Sequence, residues 1–110
     1  MRRAAIAAGW AWAAAIVWLS LVPSPPHIDV AQGDKLGHFA AYGALMFWFA
    51  ALYPARRLAF AAGFVALGIA LEFAQGMSGY RTFDVLDMAA NTAGVLAGWG
   101  AARAAGKLLH

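Results

Sequence analysis

Four long apolar runs limit what this chain can fold into more than any other feature. They cover residues 4–22, 36–53, 58–77 and 85–102, which are 19, 18, 20 and 18 residues long. A helix that crosses a bilayer needs about 20 mostly apolar residues, within a range of about 17–25. Each run meets that length. Backbone N–H and C=O groups in lipid must be satisfied within the structure itself, so helices are expected throughout and strands nowhere. The expected fold is all-α: one polytopic domain over residues 1–110, with four transmembrane helices packed as a small bundle.

The rest of the chain fits that picture. Hydrophobic residues make up 64% of it and charged residues 12%. A soluble domain of this size has too much surface to be so apolar. There is no cysteine, which excludes disulfides and thiolate metal sites. The net charge of +3 does not point to nucleic acid, because the basic residues come in ones and twos and form no stripe. The breaks between runs are readable. VPSPPHIDVAQG (22–33) is too rich in proline to continue a helix. YPARR (53–57) is a short turn stopped by Pro54, and MSGYRTFD (77–84) supplies glycine and capping residues. No internal repeat is visible.

Basic residues set the expected orientation. Arg2 and Arg3 precede the first run, Arg56 and Arg57 separate the second and third, and Arg103 and Lys107 follow the fourth. No acidic residue accompanies them. The opposite side carries Lys35 and Arg81 beside Asp29, Asp34 and Asp84. The positive-inside rule then places both termini in the cytoplasm and both longer loops outside. MRRAA before an apolar run also resembles a signal peptide. At 19 residues the run exceeds the usual signal core of about 7–15, so a retained helix is expected.

The polar chemistry gathers at the outer end. Asp34, His38 and Tyr42 are spaced i, i+4, i+8; Glu72 and Gln75 are i, i+3; Asp84, Asp87 and Asn91 are i, i+3, i+7. Each helix thus carries one polar stripe, which should face inward because charge facing lipid is costly. Glu72 lies about 21 Å along its helix from residue 58, at 1.5 Å per residue. Beneath this layer Ala90, Gly94, Gly98 and Ala102 repeat every four residues, a ridge that lets another helix come close.

Most of these residues also have a plain structural reading. Asp34 and Asp84 suit helix N-caps, and Asp87 suits a first helical turn. Lys35 and Arg81 suit the interface, where long basic side chains snorkel, and Arg81 could also pair with Glu72 or Asp87. His38 could bond a carboxylate, and Tyr42 could pack with its hydroxyl on the polar layer. The five tryptophans read as packing and interface anchors. Capping does not explain a carboxylate as deep as Glu72; its alternatives are a buried clamp or a catalytic or ligand role. Asn91 could simply tie two helices.

Three segments in combination, DKLGHFAAYGAL (34–45), LEFAQ (71–75) and RTFDVLDMAANTAGVLAG (81–98), resemble the VanZ-like membrane proteins. The match falls on Asp34, Lys35, His38, Tyr42, Glu72, Gln75, Arg81, Asp84, Asp87, Asn91 and Gly94. The resemblance implies a helical membrane protein of the bacterial envelope, related to low-level resistance to the glycopeptide teicoplanin, with its site at the matched positions. It implies no particular reaction.

The favoured expectation is a protein that binds or modulates a lipid headgroup or a cell-wall precursor. Lys35 and Arg81 would meet a phosphate, and Glu72, His38 and Asn91 would set its orientation. An intramembrane enzyme is the first alternative, with Glu72, His38 and Asp87 as its catalytic candidates. No cofactor is expected in the favoured case. The enzyme could use a divalent metal, and this carboxylate-rich set suits magnesium, manganese or calcium better than structural zinc. A purely structural polar clamp is the second alternative. Transport is weakened by the lack of ionisable groups in the cytosolic halves of the helices.

Overall fold

The computed structural model describes residues 1–22, 33–79 and 84–109, with side chains for all of these except 33, 34 and 107–109. Within them the chain forms α1 (Arg2–Leu21), α2 (Gly33–Leu52), α3 (Arg57–Met77) and α4 (Val85–Leu109), with a 3-10 turn at Pro54–Arg56 between α2 and α3. The described residues contain no strand.

Proline sets two of the boundaries. Val22, which precedes Pro23, leaves the helical region at φ −75° and ψ 149°. Tyr53, which precedes Pro54, does the same at φ −129° and ψ 71°. A residue before proline is pushed out of the α region by the ring, so both helices stop there. Two expectations shift. Helix α2 begins at Gly33, so Asp34 lies inside the first turn and not at the cap. Helix α4 runs on to Leu109, seven residues past the expected end at 102, because nothing after Ala102 breaks a helix.

Consecutive helices alternate in direction. Trp48 Nε1 donates to Ala5 O at 2.7 Å and Trp12 Nε1 to Ala41 O at 3.1 Å, which sets α1 and α2 antiparallel. Pairings of Lys35 with Asp84 and of His38 with Asn91 make α2 and α4 parallel. Helix α2 is central. Helices α1 and α4 pack on opposite sides of the α2–α3 pair and, among the described residues, do not touch each other.

Glycine permits the close α2–α4 contact. A Cβ on Gly94 would run into Phe39 O and lie 3.1 Å from Gly43 N; one on Gly98 would run into Gly43 O and lie 2.9 Å from Phe47 N. These neighbours are backbone atoms and cannot swing aside. Within the expected ridge of Ala90, Gly94, Gly98 and Ala102, Gly94 and Gly98 therefore form the α4 side of this contact, and Gly43 on α2 answers them. Leu45, Met46, Phe49, Ala50 and Val95 form the sealed centre of the core. Around Phe49 the rings of Trp10, Phe60 and Phe64 pack with centroids 4.8, 4.9 and 5.5 Å away.

At the ends of α2 and α3, arginines tie the helices together. Arg2 donates to Leu52 O at 2.9 Å and stands 5.0 Å above the Tyr53 ring. Arg57 Nε donates to Ala50 O at 2.9 Å. Both guanidinium groups meet carbonyls in the last turn of α2, where cations are favoured by the helix dipole.

Candidate functional site

The alternating directions bring the N-terminal ends of α2 and α4 and the C-terminal ends of α1 and α3 to one end of the bundle. That end collects Lys35, His38 and Tyr42 from α2, Glu72 and Gln75 from α3, Asp87 and Asn91 from α4, and Asp84 just before it. Asp34 lies in the first turn of α2, but its side chain is outside the described residues, as is all of Arg81 with its expected pairing to Glu72 or Asp87.

Glu72 is 1% exposed. Its Oε1 accepts the backbone N–H of Asp84 at 2.6 Å. Asp84 Oδ1 in turn accepts the N–H of Leu86 at 2.8 Å, so Asp84 is the N-cap of α4, as expected. In a capping box, the residue at the third helical position reaches back to the N-cap N–H. Asp87 holds that position here but faces α2 instead, and Glu72 takes the N–H from the neighbouring helix. The deep carboxylate therefore lies inside α3 and anchors the start of α4.

Asp87 and Asp84 both face Lys35. Its Nζ lies 3.3 Å from Asp84 Oδ2 and 3.6 Å from Asp87 Oδ1. His38 faces α4 with both ring nitrogens: Nδ1 is 2.8 Å from Asn91 Oδ1, and Nε2 is 3.7 Å from Asp87 Oδ2. With the proton on Nδ1, the ring donates to the Asn91 amide oxygen. Asn91 and Tyr42 are buried together against Gly68, where a Cβ would come within 3.1 Å of Asn91 Nδ2 and 3.4 Å of Tyr42 Cε2. Gln75 Nε2 donates to Ser20 O at 2.9 Å, which joins α1 to the same end. Glu72 lies within electrostatic reach of His38, Tyr42, Asp84 and Asp87. The Asp84 carboxyl is held below the usual carboxylate range, chiefly by the Leu86 N–H it accepts and further by Lys35.

Of the ten residues expected at the site, eight have described side chains, and these come together at one end of the bundle. Gly68 and the Ser20 carbonyl were not foreseen. Gly68 sits four residues before Glu72, on the same face, and a glycine there in an apolar helix was a readable sign of close approach. The Ser20 carbonyl left no sign, because a backbone acceptor can belong to any residue. Among the described residues, no group of three or more His, Cys, Asp or Glu side chains could hold a metal ion.

Two helical stretches, Arg2–Leu21 and Pro54–Met77, are long and apolar enough to cross a membrane. Helices α2 and α4, which carry Lys35, His38, Asp87 and Asn91, do not meet the same measure. Neither the curated proteins nor the solved structures compared with the chain include a significant match. The family comparison does find one. A model described as VanZ/LLP1 matches residues 5–106, nearly the whole chain and every residue of the polar end, so this protein belongs to the VanZ/LLP1 family.

Proposed function

We propose that the chain is a multi-pass protein of the bacterial inner membrane, with both termini in the cytoplasm, whose polar end binds the headgroup of a membrane lipid or a lipid-linked cell-wall precursor. Trp18, Leu36, Leu58, Phe73, Val85 and Leu96 all stand exposed, which is the surface of a protein dissolved in lipid rather than water. The long axis of 47 Å matches a bilayer with its headgroup regions, about 40–45 Å thick. Family membership adds the link to glycopeptide resistance as part of the same reading.

One observation carries the binding role. Ionisable and amide side chains from three helices converge at one end of the bundle, among helices that are otherwise largely apolar. Lys35 stands at the edge of the group, partly exposed, with two carboxylates orienting it. A phosphate at this end would meet Lys35, with His38, Asn91 and Glu72 deeper in the bundle to orient the remainder of the headgroup.

A structural tie is the second reading. Glu72, His38 and Gln75 each bond an atom of another helix. Native mass spectrometry of detergent-purified protein, with metal analysis of the same samples, separates the readings. Binding predicts a specific lipid on the wild type that folded Glu72→Gln and Asp87→Asn lose. A tie predicts no specific lipid on the wild type, with Glu72→Gln still folded because its amide oxygen keeps the Asp84 N–H and Glu72→Leu clearly less stable. An enzyme built on Glu72, His38 and Asp87 would instead keep its lipid in the folded variants and lose turnover of it.

A further inference from the structure

The end opposite the polar site has a different chemistry. Arg2, Arg3, Arg56, Arg57 and Arg103 all lie there, and no aspartate or glutamate falls within residues 1–28, 35–71 or 88–110. Arg3, Arg56 and Arg103 are exposed. Arg2 is fixed between Leu52 O and the Tyr53 ring. One helical turn further into the bundle begins a groove of about 300 Å³ between α1 and α2, lined by Ala8, Gly9, Trp12, Ala44 and Trp48. Its floor is made of small residues. Trp48 crosses to Ala5 O near one end and Trp12 crosses to Ala41 O near the other. Both indole N–H groups are therefore engaged by backbone, and the rings offer the groove only carbon. The two crossings lie seven residues apart along α1, about 10 Å. That is too short a trough for a docked helix, which needs several turns of contact, but it suits a flexible hydrocarbon chain.

We propose that this arginine-rich end, with the groove beside it, binds an anionic glycerophospholipid: its phosphate at the arginines and one acyl chain over Trp48 into the groove. The proposal rests on the membrane reading above but is independent of the polar end. Cation clusters beside a membrane helix attract anionic headgroups, and an apolar trough one turn away gives a chain a fixed place.

The test is the thermal unfolding of the full-length purified protein in mild detergent. Added phosphatidylglycerol should raise the unfolding temperature by about 4 °C or more at concentrations well above its dissociation constant. Phosphatidylcholine and chain-free glycerophosphate should leave it unchanged. The double variant Arg3→Gln/Arg56→Gln should lose the preference for phosphatidylglycerol. Ala44→Leu, which fills the groove from an exposed position, should lose most of the shift; Ala8→Leu serves the same purpose if Ala44→Leu does not fold. Equal shifts with phosphatidylcholine or glycerophosphate overturn the proposal, as does a full shift in either the arginine or the groove variant. Failure of the membrane reading shows itself separately, as protein found in the soluble fraction of lysed cells without detergent.

Discussion

Glu72 is buried at the polar end of the bundle, yet its bond is to backbone: it holds the N–H of Asp84, the N-cap of α4. Substitutions there should therefore sort by acceptor and not by charge. Glu72→Leu leaves that N–H without its acceptor and should cost about 1–3 kcal/mol in thermal or denaturant unfolding, while Glu72→Gln keeps a carbonyl oxygen in place and should cost clearly less. Equal losses in the two would mean that the negative charge itself is what matters. Asp84 behaves differently. Its carboxyl is held below the usual range by the Leu86 N–H and by Lys35, so its stabilising contribution is complete above the pKa it has in the unfolded chain. The contribution fades as the pH falls below about 4 and through its folded value. Asp84→Asn keeps a capping oxygen but loses the ion pair. Its unfolding temperature should lie below wild type at pH 7 and converge on it toward pH 3. At this scale the sequence was informative about which residues come together: spacing and family pattern pointed to Glu72, Asp87 and Asn91 as one group. Partners were less legible, since the N–H that Glu72 takes and the carbonyl that Gln75 reaches belong to the backbone, which side-chain identity does not encode.

Among the helices, the α2–α4 contact is the least tolerant of change. Gly98→Ala and Gly94→Ala place a methyl group against backbone of α2 and should destabilise by about 1–3 kcal/mol, with the two helices forced apart. Gly63→Ala and Gly100→Ala meet nothing within 4 Å and should be neutral or should stabilise by about 0.5–1 kcal/mol. If all four variants behave alike, helix propensity alone accounts for the glycines. The α4 half of this contact could be read from its four-residue repeat. Its α2 half could not, because Gly43 has no such repeat and gains meaning only once the two helices lie parallel. The end of α4 was also illegible: hydropathy falls at Arg103, but helix-forming alanines continue beyond it.

For the molecule as a whole, the chain's lack of cysteine makes orientation directly measurable. Met77 is 85% exposed at the polar end, and Ala55 is exposed at the arginine end. A single Met77→Cys should react with an impermeant maleimide in intact cells, and Ala55→Cys only after lysis; the reverse pattern would invert the bundle. The helical, four-run architecture was legible because each run is long and apolar and is bounded by proline, glycine or charged residues. Relative helix positions were not, since hydropathy is silent about which non-consecutive helices meet. That arrangement bears on how the protein is made. The two helices that are long and apolar enough to cross a membrane are the first and the third; the second and fourth carry the complementary polar groups. During synthesis from the N-terminus, Lys35 and His38 emerge about 50 residues before Asp84, Asp87 and Asn91 exist. In the membrane reading proposed above, α2 lacks its polar partners for that interval and should be held less securely until the last helix arrives. Truncation before residue 84, which removes α4 altogether, should thus leave the intact α2 poorly inserted, and the bundle would be completed only at the end of translation.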